Sequence, residues 1–246
     1  MPGRFFIQNF LDNSIQRGCT VAIIEMTSEG ARQHRHRFID MDALIFTNLA
    51  PEHIESHGSY EAYAKAKFEI GRELVRSRKR PRIMVANADS AEGSRYLTLD
   101  VEHKLPISLS SCPSWSADEN GGHFNFDGAD ISINLPGEFS LKNALTSATT
   151  ARALGVSTQV IASALGKIRS IPGRAEKIEG GQNFTVVVDY AHTPDSLEAL
   201  YNAYGKLRKI CVFGATGGGR DTWKRPVMGA IADKYCDELI LTNEDP

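Results

Sequence analysis

Short apolar runs alternate with amphipathic stretches along most of this chain, and this alternation restricts the possible folds more than any other feature. The runs TVAIIE (20–25), ALIFTN (43–48) and RIMVAN (82–87) are typical of buried parallel strands. Residues 4–18 and 60–76 have the spacing of amphipathic helices. Because parallel strands need a crossover connection, usually a helix, this order predicts an α/β fold with a mostly parallel sheet.

Residues 96–135 and 170–182 depart from the alternation. The first stretch has short alternating runs separated by Gly, Asn and Asp turns, which predicts a small antiparallel sheet. The second, SIPGRAEKIEGGQ, is rich in Gly and Pro and is typical of a domain boundary. We therefore predict a first domain over residues 1–176 and a second domain over residues 177–246.

The alternation begins again after this boundary. The runs FTVVVDY, KICVFG and ELILTN are typical of strands, and helical stretches follow HTPD and KRP. The sequence stops directly after the third run. These features predict an incomplete Rossmann-like domain.

Charge and composition exclude several classes of partner. The net charge is −2 at pH 7, which gives no reason to expect nucleic acid or an anionic membrane surface. The basic run RSRKRPR (76–82) is either a basic patch or the end of a helix, where cations suit the dipole. No signal peptide and no apolar run approaching 18 residues is present, so we expect a cytoplasmic protein without membrane insertion.

The four cysteines, Cys19, Cys112, Cys211 and Cys236, are far apart and form no CxxC pair. Cys19 and Cys211 lie in or beside apolar runs. This placement predicts buried, reduced thiols.

Lys67 interrupts the apolar face of the predicted helix 60–76. Tyr63, Lys67, Ile70 and Leu74 share one stripe, whereas Lys65 lies on the charged face. A buried amine must be paired, neutralised or chemically altered, because an isolated buried charge is costly. Extension of the lysine stem along the surface, with the amine in water, is the simpler alternative.

His53 and His57, in the segment HIESH, raise the question of a metal site. The segment superficially resembles the HExxH zinc helix, but its glutamate is misplaced and no third nitrogen or sulfur ligand is near in sequence. A loop histidine is the stronger interpretation from spacing alone. A zinc hydrolase built on these two histidines remains an alternative.

The segment TNLAPEHIESHGSYEAYAKAK (47–67) closely resembles a signature of the Mur ligases, the ATP-dependent amide-bond synthetases of peptidoglycan assembly. The resemblance implies that His53 is a magnesium ligand. It also implies that Lys67 is carbamylated and, as an anion, helps to hold a second magnesium ion. The segment IIEMTSEGARQHR resembles another family motif, in which Glu25 corresponds to a further magnesium ligand.

The same motif carries implied substrate-binding residues. Ser28, Gln33 and Arg35 fall on positions that contact the acidic peptide in the branch that uses UDP-N-acetylmuramoyl-dipeptide. A guanidinium suits that role because it binds a carboxylate through two parallel hydrogen bonds. A polar loop without a ligand is the alternative for these residues.

Three motifs in the second half resemble the nucleotide-binding segments of the family. PGEFSLKNALTSATTARALG supplies Asn143, which corresponds to the asparagine that approaches adenine, and IPGRAE supplies Arg174 for the ATP phosphates. VVVDYAHTPDSL supplies Asp189 and Tyr190 for ribose and adenine, and His192 near the nucleotide. A satisfied polar residue at a strand end is the alternative for each.

The sequence also departs from the family pattern. Ser140 stands where an asparagine is common, and the phosphate loop GxxxxGK[ST] does not occur. VFGATGGGRDTWKRPVMG resembles a Gly-rich family segment, and NEDP stops within the motif that selects the amino acid, where Asp245 belongs. We therefore expect a ligase truncated at both ends, which is not active alone.

The resemblance implies one reaction and leaves one alternative open. The implied reaction adds the third, diamino, residue to UDP-N-acetylmuramoyl-L-Ala-D-Glu through an acyl phosphate, with ATP as substrate and Mg²⁺ as cofactor. Folylpolyglutamate synthetases, which are cousins of this family, should lack the QHR and HGxxxxYxxAK elements present here. The alternative is a non-catalytic module of the same fold that binds a nucleotide or a nucleotide sugar.

Overall fold

The computed structural model describes residues 3–52, 54–215 and 221–243. They form two compact units. Unit 1 contains residues 3–49 and 54–106, and unit 2 contains the rest. Within the described residues, no helix combines the length and apolar character needed to span a membrane.

Unit 1 contains helices and a three-stranded sheet. Its helices are α1 (Arg4–Gln16), α2 (Ser28–Arg32), α3 (Ile54–His57), α4 (Tyr60–Arg76) and α5 (Ala91–Tyr96). Its strands are β1 (Ala43–Phe46), β2 (Ile83–Asn87) and β3 (His103–Ile107), the last of which ends at the boundary with unit 2.

The sheet of unit 1 has the order β1-β2-β3. β1 and β2 are parallel, with Ala43 opposite Ile83 and Phe46 opposite Ala86, which confirms the strands expected at ALIFTN and RIMVAN. The side chains of β2 are buried from Ile83 to Ala86, as expected for a central parallel strand. Phe46, Met84 and Ala86 belong to a core that also contains residues of α4.

The crossover between these strands is α4, and it spans the predicted residues 60–76. Ser59 caps the helix, because its hydroxyl accepts the Ala62 N–H at 3.1 Å. Tyr63, Ile70 and Leu74 are buried, which confirms the predicted apolar stripe.

The prediction of a buried strand at residues 20–25 is wrong. This segment belongs to no strand, and Val21 and Ile23 are 68% and 91% exposed. A parallel strand needs a hydrogen-bonded neighbour and apolar cover on its faces. Within the described residues β1 pairs with β2 alone, so the apolar run 20–25 receives neither.

The basic run at residues 76–82 is neutralised by acidic side chains. The guanidinium of Arg78 lies 2.6 Å from the Asp40 carboxylate, and Lys79 Nζ lies 2.5 Å from Asp42. Arg82 is buried, and Glu102 accepts two hydrogen bonds from its guanidinium. The run is therefore a set of ion pairs that follows α4.

Within the described residues, unit 2 contains several small sheets and four α-helices. Its strands are β4 (Trp115–Ala117), β5 (Gly122–Phe126), β6 (Ala129–Ile133), β7 (Glu176–Ile178), β8 (Val186–Val188), β9 (Ile210–Phe213) and β10 (Glu238–Leu241). Its helices are α6 (Gly137–Ala153), α7 (Thr158–Lys167), α8 (Pro194–Ala203) and α9 (Lys224–Tyr235).

The sheet β4-β5-β6 is antiparallel, which confirms the prediction for residues 96–135. α6 packs on β5, and Phe124, Ile131 and Leu141 are fully buried. Farther along the chain, β7 pairs with β8 in antiparallel orientation, whereas β9 and β10 are parallel. α8 and α9 pack together over a second core that includes Leu197 and Met228.

The prediction of buried, reduced thiols is half wrong for each residue it concerned: Cys19 is a free thiol but is not buried, and Cys211 is buried but not reduced. Cys19 is exposed, because the apolar run that follows it is not covered. Cys211 on β9 is buried but forms a disulfide with Cys236, which caps the end of α9. Sequence spacing did not indicate this bridge, since the two residues are 25 positions apart.

We expect the Cys211–Cys236 bridge to stabilise the β9–α9–β10 region. Unfolding without reductant should expose two reactive thiols, Cys19 and Cys112, and unfolding with reductant should expose four. A bridge that closes a loop of this size stabilises a fold by about 3 to 4 kcal/mol through the entropy of the unfolded chain. Thiol alkylation with mass spectrometry and denaturant unfolding measure these effects.

The double variant C211S/C236S provides the control. Reductant should lower the unfolding midpoint of the wild type and leave that of the double variant unchanged. Four reactive thiols in the unreduced wild type would contradict the bridge.

His36 is a buried titratable group in unit 1. The residue is 2% exposed, and its Nδ1 has no hydrogen-bond partner among the described residues. Burial is the main cause of a lowered pKa for His36, and the nearby Glu73 carboxylate acts in the opposite direction. The folded protein therefore favours the neutral imidazole.

We expect His36 to make unit 1 less stable in mild acid. The unfolded state takes up a proton near pH 6.5, whereas the folded state resists it, so the free energy of unfolding falls as the pH drops below about 6.5. The variant His36→Leu cannot titrate at this position. Its free energy of unfolding, minus that of the wild type, should therefore be larger at pH 5.5 than at pH 7.5. Urea unfolding measures this difference, with His103→Gln, an exposed position, as the control. An identical difference at both pH values would refute the expectation.

Candidate functional site

Ser28, a candidate site residue of unit 1, makes a polar contact with His57. Thr27 caps α2, because its hydroxyl accepts the Gly30 N–H at 3.1 Å, and this cap places Ser28 at the first position of the helix. Ser28 is buried, and its Oγ lies 3.1 Å from Nε2 of His57. The His57 ring in turn lies 5.3 Å from the ring of Tyr63 on α4. α2, α3 and α4 thus meet at this point.

Arg35 is buried on the segment that follows α2. The residue is 8% exposed, and its Nη2 donates to Oε1 of Gln33. Its Nε has no hydrogen-bond partner, and no carboxylate pairs with it, among the described residues. Because a buried guanidinium is costly without an anion, this arrangement favours a carboxylate ligand at Arg35.

Lys67 and Lys65 differ as the sequence predicted. Lys65 is exposed, whereas Lys67 is half-buried, and its Nζ lies 5.8 Å from the centre of the Tyr63 ring. The Lys67 amine is therefore on the same side of α4 as the contact between His57 and Ser28. Of the two candidate metal ligands that the structure describes, Glu25 and Lys67, Lys67 lies on a helix and Glu25 does not.

The predicted magnesium ligands can be compared with the chemistry of the ion. Glu25 offers an exposed carboxylate, whereas Lys67 offers oxygen atoms only after carbamylation, because an ammonium group is a donor alone. His53 lies outside the described residues. Carboxylate and carbamate oxygens are ligands that Mg²⁺ prefers, so Glu25 and a carbamylated Lys67 fit the ion. Within the described chain, no group of three or more His, Cys, Asp or Glu side chains is placed to hold a metal.

Asp189 anchors the candidate nucleotide-binding residues of unit 2. Its Oδ2 accepts the Ala175 N–H and its Oδ1 accepts the Ala191 N–H, both at 2.7 Å. The carboxylate therefore joins the end of β8 to the segment that contains Arg174. The Arg174 guanidinium lies over the Tyr190 ring, 5.1 Å from its centre.

His192 is held at both ring nitrogens. Nδ1 lies 2.7 Å from the Tyr190 carbonyl oxygen, and Nε2 lies 2.8 Å from Oε1 of Glu52. The Glu52 carboxylate raises the pKa of His192, and burial acts in the opposite direction. The structure thus brings Arg174, Asp189, Tyr190 and His192 together.

Asn143 is not part of this group of contacts. It lies exposed on α6, where its backbone carbonyl oxygen accepts a hydrogen bond from the Ser147 hydroxyl at 2.9 Å. Within the described residues no hydrogen bond joins its side chain to Asp189, Tyr190 or His192. Its assignment to adenine remains a prediction.

Sequence reasoning missed two charged residues near His192. Glu52 contacts its imidazole directly, and the buried Lys224, 3% exposed, acts on it electrostatically. The adjacency of Glu52 to His53, and the polar start of α9, were the available signals, but neither reveals a contact 140 positions away. The Gly-rich residues 216–220 and Asp245 lie outside the described residues.

Comparison with known protein families assigns both halves of the chain. Residues 2–151 match the Mur ligase middle domain. Residues 173–246 match the glutamate ligase domain of Mur ligases. The family indicated by the sequence motifs is thereby confirmed.

Individual relatives are about one third identical to this chain over the aligned residues. The chain is 32% identical to UDP-N-acetylmuramoyl-L-alanyl-D-glutamate--2,6-diaminopimelate ligase of Halalkalibacterium halodurans, and the match covers 100% of this chain and 52% of the relative. It is 34% identical to UDP-N-acetylmuramyl-tripeptide synthetase of a Roseiflexus species, over 98% and 51% of the two chains. The chain thus spans about half the length of these relatives.

A solved structure agrees with the sequence matches. It is titled as a UDP-N-acetylmuramoyl-L-alanyl-D-glutamate--2,6-diaminopimelate ligase, and it superimposes with a TM-score of 0.70 at 26% identity, over 100% of this chain and 53% of the other. Since the middle-domain match alone covers more than half of the sequence, we conclude that this chain belongs to the Mur ligase family.

Proposed function

We propose that the candidate site residues of this chain belong to an ATP-dependent amide-bond ligase that adds the third amino acid to UDP-N-acetylmuramoyl-L-Ala-D-Glu. The observation that carries the proposal is Arg35, a buried guanidinium for which no carboxylate partner occurs in the described chain. The D-Glu residue of the sugar peptide would supply that carboxylate. Relatives named for this reaction support the choice of substrate.

The proposed chemistry has two steps. The terminal carboxylate of the sugar peptide attacks the γ-phosphorus of ATP, and ADP leaves, which gives an acyl phosphate. The amine of the incoming diamino acid then attacks the acyl carbon, and phosphate leaves with the formation of the amide. The first step brings two anions together and the second releases one, so positioning and charge neutralisation dominate catalysis.

Residues of this chain would share those tasks. Arg35, with Ser28 and Gln33, would orient the sugar peptide, while Arg174 and Tyr190 would contact the nucleotide. Magnesium, held by Glu25, His53 and carbamylated Lys67, would neutralise the phosphate oxygens. Asn143, Asp189 and His192 complete the proposed nucleotide site.

The proposal concerns a protein that contains these residues, because the chain spans about half the length of its relatives. We place the reaction in the cytoplasm, where ATP and nucleotide sugars are available. A non-catalytic module that binds the same ligands is the second candidate. Such a module would not need the phosphate loop GxxxxGK[ST], which does not occur among these 246 residues.

Phosphate release from ATP tests the proposal directly. The purified chain is incubated with Mg²⁺, bicarbonate, UDP-N-acetylmuramoyl-dipeptide and a panel of diamino acids. Release that requires both the sugar peptide and one amino acid supports the ligase and identifies that amino acid. If a folded chain releases no phosphate, calorimetry with the sugar peptide and with ATP is the next measurement. Binding of either ligand without phosphate release supports the binding module. A chain that binds neither ligand refutes both candidates.

Arg35 allows a sharper version of this test. Arg35→Lys keeps the charge but cannot form two parallel hydrogen bonds, so we expect affinity for the sugar peptide to fall at least about tenfold. Arg37→Lys, at an exposed position two residues away, is the matched control and should bind as the wild type does. Equal affinities for both variants would remove Arg35 from the substrate site.

Carbamylation of Lys67 has a readout that does not depend on activity. With ¹³C-bicarbonate, we expect a carbamate signal in the carbon NMR spectrum of the wild type and of Lys65→Arg. The signal should disappear in Lys67→Arg, because arginine forms no carbamate under these conditions. A signal that persists in Lys67→Arg, or is absent from the folded wild type, would contradict the modification.

A further inference from the structure

Glu52 has no role in the reaction as proposed above, yet it makes a short contact with a site residue. Its Oε1 lies 2.8 Å from Nε2 of His192, and both side chains are about three-quarters buried, with 21% and 26% exposed. Charge-assisted hydrogen bonds at this distance are stronger than neutral ones, particularly where water is partly excluded.

The two contacts of His192 determine the orientation of its ring. The Glu52 carboxylate and the Tyr190 carbonyl are both acceptors, an arrangement that favours hydrogen on both ring nitrogens. The two contacts hold the His192 ring in one orientation, and both raise the pKa of its imidazole. The charged groups that act on it are Glu52, which favours the cation, and Lys224, which opposes it.

The orientation of His192 affects the residues proposed to bind the nucleotide. The His192 ring meets the Tyr190 ring edge to face, with 4.7 Å between centres, and the Arg174 guanidinium lies 5.1 Å from the same tyrosine ring. Tyr190 is itself more than half exposed, so these neighbours are its main restraint. Glu52, His192, Tyr190 and Arg174 thus form one continuous series of contacts.

We propose that Glu52 is a positioning residue, which fixes the His192 ring and, through it, the Tyr190 and Arg174 side chains for a nucleotide triphosphate. This inference rests on the proposed function for the identity of the ligand. The fixed orientation of His192 follows from the contacts of unit 2 and can be tested without a ligand.

The test compares Glu52→Gln, Glu52→Asp and the matched control Glu179→Gln, an exposed carboxylate in the same unit. Nitrogen NMR of the imidazoles as a function of pH, with His192 assigned from His192→Gln, reports protonation and tautomer. Calorimetry with MgATP reports affinity. Thermal unfolding of every variant confirms that the chain is folded.

We expect His192 to keep its second proton to a higher pH in the wild type, in Glu52→Asp and in Glu179→Gln than in Glu52→Gln, because the carboxylate favours the cation. MgATP affinity should fall about tenfold in Glu52→Gln and be largely retained in Glu52→Asp, as loss of one charge-assisted hydrogen bond implies. Unchanged affinity in Glu52→Gln would overturn the positioning role.

A wild-type chain that does not bind MgATP would refute the nucleotide site of the proposed function, and the NMR comparison alone would then decide. An unchanged His192 signal in Glu52→Gln would overturn the inference. Loss of the second proton at a lower pH in that variant would retain Glu52 as the residue that fixes the ring.

Discussion

Burial of β2 on both faces is the constraint on which unit 1 depends. A central parallel strand must be reached by a crossover, and here the crossover is α4, whose apolar side packs into the same core as β2. That packing fixes the rotation of α4. It therefore determines that Lys67 is half-buried and close to Tyr63 while Lys65 faces solvent. The position of a candidate metal ligand is thus a consequence of how the hydrophobic core is built.

In unit 2 the corresponding constraint is the hydrogen bonding of backbone groups at the end of β8. Asp189 satisfies two amide N–H groups on different segments, and the capping box of Thr193 and Ser196 fixes the start of α8 immediately afterwards. Tyr190 and His192 lie between these two anchors. These hydrogen bonds restrain the backbone on both sides of Tyr190 and His192.

Local patterns in the sequence predicted the features that depend on neighbouring residues. The extent of α4, the parallel pairing of ALIFTN with RIMVAN and the antiparallel sheet in residues 96–135 all follow from periodicity and turn residues. The strand at residues 20–25 failed because burial depends on a partner that its own sequence cannot supply. Glu52 and the Cys211–Cys236 bridge were missed for the same reason, since each depends on a residue distant in sequence. The candidate site residues came from family motifs, and periodicity contributed only Lys67.

The Cys211–Cys236 bridge encloses residues 212–235, a stretch of sequence that includes the Gly-rich residues 216–220 and the whole of α9. A closed covalent ring tolerates one break without coming apart. A protease that cuts once within this stretch would leave two fragments joined through sulfur, which would migrate together on a gel until a reductant separates them. Apparent resistance of this chain to limited proteolysis therefore has to be judged under reducing conditions.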